Sequence, residues 1–166
     1  METKSKVIAC RPITPSDREW VVSLVTTRWG ADKIVVHEDV YRPSDLPGFI
    51  AELDDRPVGL VTYRVSGDEC EIITLDSLKT GIGIGTALVS VTKRAALAQG
   101  CQRLRLVTTN DNLRALRFYQ KRGFRLVELR PGVVDESRKI KPVIPVIGQE
   151  GIPLHDELDL VLNIRN

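Results

Sequence analysis

Cysteine is scarce in this chain of 166 residues. Cys10, Cys70 and Cys101 are odd in number and widely spaced, with no C-x-x-C pair. That argues against a disulfide frame or a cysteine-built zinc site and fits a reduced, cytoplasmic setting. Long apolar runs are also missing. The start, Met1-Glu2-Thr3-Lys4-Ser5-Lys6, is polar and no apolar run follows it, so neither a signal peptide nor a membrane span is expected. Charge of one sign is missing too, and a net charge of +2 gives no footprint for nucleic acid. Histidine occurs twice, as His37 and His155, each alone in a loop, where solvation is expected over catalysis. No metal is expected, and there is no repeat or low-complexity tract. What is present, 42% apolar and 28% charged residues, is ordinary for a globular protein. One domain over residues 1–166 is expected, with a core that buries roughly 70% of the unfolded surface.

The most informative stretch is Lys79-Thr80-Gly81-Ile82-Gly83-Ile84-Gly85-Thr86-Ala87-Leu88. A strand-like run, residues 71–75, precedes it and a helical run to about Gln99 follows. Strand, glycine turn and helix start together make an anion site. Glycine lets a ligand approach bare amides, and the first N–H groups of a helix have no internal partner. The helix dipole adds positive charge, so phosphate is the natural ligand. Two common phosphate motifs fail. Counted from Gly81, the dinucleotide fingerprint would need glycine where Thr86 stands, and its later acidic residue is missing. No Gly-Lys-Ser/Thr closes the run as a triphosphate loop. A loop that only turns the chain is the competing reading.

Along the chain, residues 7–11 read as a strand. Thr14-Pro15 reads as a helix cap with proline at the first position, and Trp20, Val21, Leu24, Val25 and Trp29 continue at helical spacing until Gly30. Residues 31–48 read as loop-rich, with room for a short helix. Residues 49–53 and 57–65 read as strands of a hairpin, and residues 69–75 as a further strand. Ile84, Leu88, Val91, Ala95 and Ala98 form one helical stripe. Residues 104–108 read as a strand, 112–122 as a short helix, and 124–129 and 157–162 as strands. Between the last two, residues 131–153 are irregular with a helical turn or two around 135–139. The order gives an α/β fold with a mixed sheet and helices on its faces.

A second stretch joins the glycine loop: Asn112-x-x-Ala115-x-x-x-Tyr119-x-x-x-Gly123-Phe124. With Gly83-Ile84-Gly85-Thr86-Ala87-Leu88 it resembles the GNAT superfamily of acetyl-CoA-dependent N-acetyltransferases, and the element order agrees over nearly the whole chain. The resemblance implies a mixed, mostly antiparallel central sheet with helices on both faces. It implies acetyl-CoA as co-substrate, held where the fourth and fifth strands of the family's sheet part. The implied cofactor residues are Leu75, Ser77, Thr80, Gly81, Ile82, Gly83, Ile84, Gly85, Thr86, Asn112, Ala115 and Tyr119. Loop amides would hold pyrophosphate, the strand around Leu75 and Ser77 would pair with pantetheine, and Asn112 would bond the cofactor arm. Thr80 departs from the family, which has Gln or Arg there.

The resemblance also makes Tyr119 the acid that protonates the departing thiolate. A phenol suits a thiolate of similar basicity. An alkylammonium acceptor must lose a proton, and Glu69 sits where several members of the family carry a base. Glu71 points to the same side of the strand. The expected acceptor is a small-molecule or peptide amine framed by residues 31–48 and 131–153. A second copy of the chain is a further partner, through an exposed edge strand. Two other readings stand beside this one: a sensor that holds acetyl-CoA or CoA without turnover, and a nucleotide-binding domain that mimics the motif.

Overall fold

Thr14 caps the turn that leads into the first helix. The Thr14 N–H and hydroxyl both donate to Asp17, at 2.7 and 3.0 Å. The computed structural model describes residues 6–165, so the polar start, Met1–Ser5, lies outside it. Strand β1 (Ala9–Pro12) leads through a 3-10 turn at Pro15–Asp17 into α1 (Arg18–Trp29), which ends at Gly30. Arg11 bonds both Asp17 and Glu52 and so ties β1 to that turn and to the neighbouring strand.

Residues 31–48 depart from the loop-rich expectation. They form a small hairpin, β2 (Ile34–Val36) with β3 (Asp39–Tyr41), and a 3-10 turn at Pro43–Asp45. His37 and Glu38 make its turn with φ of +49° and +70°, so the turn carries no glycine or asparagine signal. Next come β4 (Gly48–Leu53), β5 (Arg56–Ser66), β6 (Glu69–Ser77), α2 (Ile84–Ala98) and β7 (Arg103–Thr109). The chain continues with α3 (Leu113–Lys121), β8 (Arg125–Arg130), α4 (Val133–Ile140) and β9 (Glu157–Asn163).

Seven strands form one sheet in the order β1-β4-β5-β6-β7-β9-β8. All neighbours are antiparallel except β6 and β7. That parallel pair holds only from Glu69 opposite Arg103 to Ile72 opposite Leu106. Beyond it β6 runs on to Ser77 beside β5 and β7 to Thr109 beside β9 without pairing to each other, so the sheet splits. A register shift where β5 meets β6, at Thr62 and Tyr63, bends β6 at the split.

Cores lie on both faces. On one, α2 packs Ile84, Leu88, Val89 and Ala96 against Ala51, Val61, Cys70 and Leu104. On the other, Val21, Leu24 and Val25 of α1 and Ile34 and Val36 of the hairpin cover Ile50, Leu60 and Ile73. The buried stripe of α2 is rotated from the expected one: Thr92 is fully buried while Ala98 is exposed. Thr92 tolerates this because its hydroxyl donates to the Leu88 carbonyl at 2.8 Å.

Candidate functional site

The split opens a cleft of about 950 Å³. Leu75, Asp76 and Ser77 of β6 line one side, and residues 106–109 of β7 line the other. Past Ile72 the β7-facing edge of β6 has no ladder partner, so its amides and carbonyls are open to an extended ligand. Asn112, Ala115 and Tyr119 of α3 form the floor. Asn112 caps α3 by accepting from the Ala115 N–H at 3.2 Å, which leaves its amide NH2 as the spare donor.

At the mouth lies a second hollow of about 380 Å³, lined by Ser77, Thr80, Gly81, Gly83, Ile84, Gly85 and Thr86. Gly83 caps α2 with φ of +87°, a conformation that aims the first amides of the helix outward. Gly85 is needed for space, because a Cβ there would stand 2.9 Å from the Phe118 ring. Ile82 lines neither hollow and is 45% exposed, so its side chain turns to solvent. Arg122 went unnoticed in the sequence. It donates to Thr86 Oγ1 at 2.6 Å and covers the Phe118 ring at 3.5 Å, which brings a cation beside the glycine loop. Arg114 lines both hollows.

Tyr119 is 7% exposed, packed edge-on between Phe118 and Phe124. Burial raises its pKa, the Asp76 charge adds to this, and Arg122 opposes it. The phenol therefore keeps its proton at neutral pH. Asp76 was not singled out from the sequence. It is 8% exposed and lines the cleft, and it accepts from Trp29 Nε1 at 3.1 Å. Burial raises its pKa above the ordinary carboxylate value, against the Trp29 hydrogen bond and Arg28.

Glu69 and Glu71 are not brought to Tyr119. They lie at the paired end of β6 and do not line the cleft. Glu69 accepts from Arg103 Nε at 3.1 Å and Glu71 from Arg64 Nε at 3.3 Å. The alternation of β6 put both on the expected side, but arginines from β5 and β7 engage them there.

The two histidines differ in setting. His155 is half-exposed beside Asp156. His37 is partly buried and engaged: its ring bridges Glu157 at 2.5 Å and Asp159 at 3.2 Å, fastening the hairpin to β9. Hydrogen bonds to Asp159 and Glu157 push its pKa up to about 9, against burial. Burial would raise the Asp159 pKa, but His37 and Arg105 outweigh it and hold that carboxyl below its usual range.

Residues 131–156 wall the remaining side of the cleft. Asp111, buried, accepts from the Gln149 N–H at 2.9 Å, and Asn110 accepts from the N–H groups of His155 and Asp156. Arg138 bonds the carbonyls of Ile144, Pro145 and Leu154. Among the described residues, no helix is long and apolar enough to cross a membrane.

Comparison with known proteins gives one family. Residues 17–124 match the model of the acetyltransferase (GNAT) family. An uncharacterized protein of Bacillus subtilis strain 168, YxbD, is 39% identical over 155 residues, covering 93% of this chain and 98% of the relative. In structure, the chain resembles an IAA acetyltransferase from Bacillus cereus ATCC 14579 with a TM-score of 0.70 and 17% identity, over 95% of this chain and 99% of that one. It also resembles a GNAT family acetyltransferase from Elizabethkingia anophelis with acetyl-CoA bound, with a TM-score of 0.68 and 18% identity, over 94% of this chain and 97% of that one.

Proposed function

The chain belongs to the GNAT family of acetyl-CoA-dependent acetyltransferases, and on that premise we propose that it moves the acetyl group directly to a primary amine. The observation that carries this reading is the cleft itself. One opening in the sheet has an unpaired strand edge on one side, a glycine-rich helix start at its mouth and a buried tyrosine in its floor.

The amides of Gly81–Thr86 hold the pyrophosphate, with Arg122 as the nearby cation. Backbone groups of Leu75 and Ser77 pair with the pantetheine amides, and an N–H at this edge polarises the thioester carbonyl. The Asn112 NH2 bonds the cofactor arm. Asp76, rather than Glu69 or Glu71, takes the proton from the acceptor ammonium. The freed amine attacks the carbonyl carbon, the C–N bond forms, the C–S bond breaks as Tyr119 gives its proton to the sulfur, and the second proton lost by the nitrogen restores the phenol and leaves a neutral amide. The acceptor is a small-molecule or peptide amine. The domain is the whole of residues 1–166, and the free thiols of Cys10, Cys70 and Cys101 support work in the cytoplasm. The outer edges of β1 and β8 have no strand partner among the described residues, and pairing with a second copy would rest on them.

The test is a thermal shift with acetyl-CoA, CoA, NAD and ATP in parallel, followed by CoA release with a panel of amines. Stabilisation by acetyl-CoA and CoA alone, with CoA released when an amine is added, supports transfer. Stabilisation by NAD or ATP alone would overturn the cofactor reading.

A further inference from the structure

Lys141 is a cation without an anion. It caps the C-terminal end of α4, is 4% exposed and lines the cleft. Among the described residues it has no ion-pair partner, and the charge that bears on it is another cation, Lys33. Lys33 is itself fixed close by, its Nζ reaching the Ile140 carbonyl at 3.4 Å. Burial and Lys33 both lower the Lys141 pKa, so both work against the ammonium form. The same wall of the cleft carries Val134, Val143, Ile144 and Leu154, with Ser137 and Gln149 as its uncharged polar side chains. Charges this little exposed are mostly paired in folded proteins, because they lose most of their hydration; Lys141 Nζ has no such partner among the described residues, yet it is not fully enclosed. The end of α4 offers only about half a negative charge, spread over its last turn. The wall is also fixed in place, since Arg138 holds three of its carbonyls and Ser137 Oγ donates to the Val133 carbonyl at 3.2 Å. A lysine kept in such a place at a cost to stability points to a ligand that brings the missing charge.

We propose that Lys141 is the anion subsite of the acceptor pocket, and that the acceptor is an amino acid-like zwitterion with its carboxylate on Lys141 and its amine toward Asp76. This rests on the acetyltransfer reading above and narrows it. Asp76 and Lys141 line the one cleft with opposite signs; of its other charged groups, Glu157 is engaged by His37 and Asp111 by the Gln149 N–H, while Arg28 and Arg114 are cations. A zwitterion answers both Asp76 and Lys141. A polyamine or an aminoglycoside would bring further positive charge against Lys141, with Lys33 behind it, and is selected against. The apolar part of the cleft lining, with Ile73, Leu75, Val134 and Val143, suits an aliphatic or aromatic side chain.

The test pairs each amino acid with the amine that lacks its carboxylate: L-leucine with 3-methylbutylamine, L-phenylalanine with 2-phenylethylamine, and spermidine as the polycation. CoA release is read for wild type, Lys141→Met and Lys141→Arg. In wild type the carboxylate member is expected to have a kcat/KM about ten- to hundred-fold above its partner, the value of one charge-assisted hydrogen bond. Lys141→Met removes that difference by raising KM for the carboxylate member, and Lys141→Arg restores most of it. Lys141→Met keeps the thermal shift with acetyl-CoA and does not lower the melting temperature, because an apolar side chain replaces an unpaired buried cation.

An amine turned over as well as its amino acid would overturn the proposal, as would equal losses for both members in Lys141→Met. The same compounds are also added to CoA-loaded protein in a thermal shift. There a Lys141-dependent gain with the carboxylates supports the subsite, and no gain with either amino acid, together with no carboxylate preference in turnover, overturns it. Failure of the acetyltransfer reading looks different: neither acetyl-CoA nor CoA stabilises the protein, and no amine releases CoA.

Discussion

Tyr119 and Asp76 are buried in one cleft, and the proposed transfer gives them opposite tasks. Burial raises the pKa of both. For the phenol this secures a proton to give, and for the carboxylate it makes a stronger base. Tyr119→Phe keeps the ring between Phe118 and Phe124 and removes only the hydroxyl, so the fold and the acetyl-CoA thermal shift should persist while kcat falls by about 10²–10⁴. Unchanged turnover would remove Tyr119 from the chemistry. Asp76 gives a prediction with a sign. The Trp29 N–H favours its charged form, so Trp29→Phe lets its pKa rise further. Less Asp76 is then ionised at a given pH, and the acid limb of the kcat/KM profile should move to higher pH. A limb that stays in place or moves down would show that another group accepts the proton. The sequence displayed Glu69 and Glu71 as readily as Asp76. What separates them is tertiary: arginines from β5 and β7 engage the two glutamates, while an indole 47 residues away turns Asp76 into a buried group of the cleft.

Among the elements, α2 and α3 were legible because their signals are local. Gly83 precedes an apolar stripe, and Asn112 caps a helix three residues before Ala115. Gly85 is the tight point between them, and Gly85→Ala should push Phe118 out from under Arg122 and raise the Kd for CoA by about tenfold, roughly 1.4 kcal/mol, measured by calorimetry. The β2–β3 hairpin was not legible. Its strands have three residues each, and its turn bends at His37 and Glu38 with no glycine to mark it. It is held from a distance, by the His37 bridge to Glu157 and Asp159 on β9. Since the folded His37 pKa, about 9, lies above the ordinary value of 6.5, the bridge contributes fully below about pH 6.5 and is lost as pH rises through 9. Hydrogen exchange of residues 34–41, corrected for the intrinsic rate, should therefore speed up between pH 7 and pH 10 in wild type. In His37→Gln it should be fast throughout. Equal protection in the two proteins would mean that the apolar contacts of Ile34 and Val36 hold the hairpin alone.

At the scale of the whole molecule, the sheet is two half-sheets joined by a short seam. β1, β4, β5 and β6 lie on one side, β7, β9 and β8 on the other, and the parallel pairing between them runs over four residues of each strand. The order of elements was readable from the sequence, but the length of this seam was not, because it depends on where β6 bends away from β7. A ligand in the cleft touches both halves: β6 and the α2 start on one side, β7 and α3 on the other. It thus supplies contacts that the seam lacks beyond Ile72. At about 100 times its dissociation constant it adds roughly 2.7 kcal/mol, and for a chain of this size each kcal/mol is worth about 2–4 °C. The distribution of that gain is the sharper measure. With acetyl-CoA, slowed hydrogen exchange is expected in residues 73–77, in the first turn of α2 and across α3, with β1 and β8 unchanged. Slowing confined to residues 81–86 would describe a ligand held by its pyrophosphate alone, and the two half-sheets would then owe their union to the seam and the flanking helices. Slowing on both sides of the split would make the ligand a structural part of the sheet, with its thioester end lying where Tyr119 and Asp76 line the cleft.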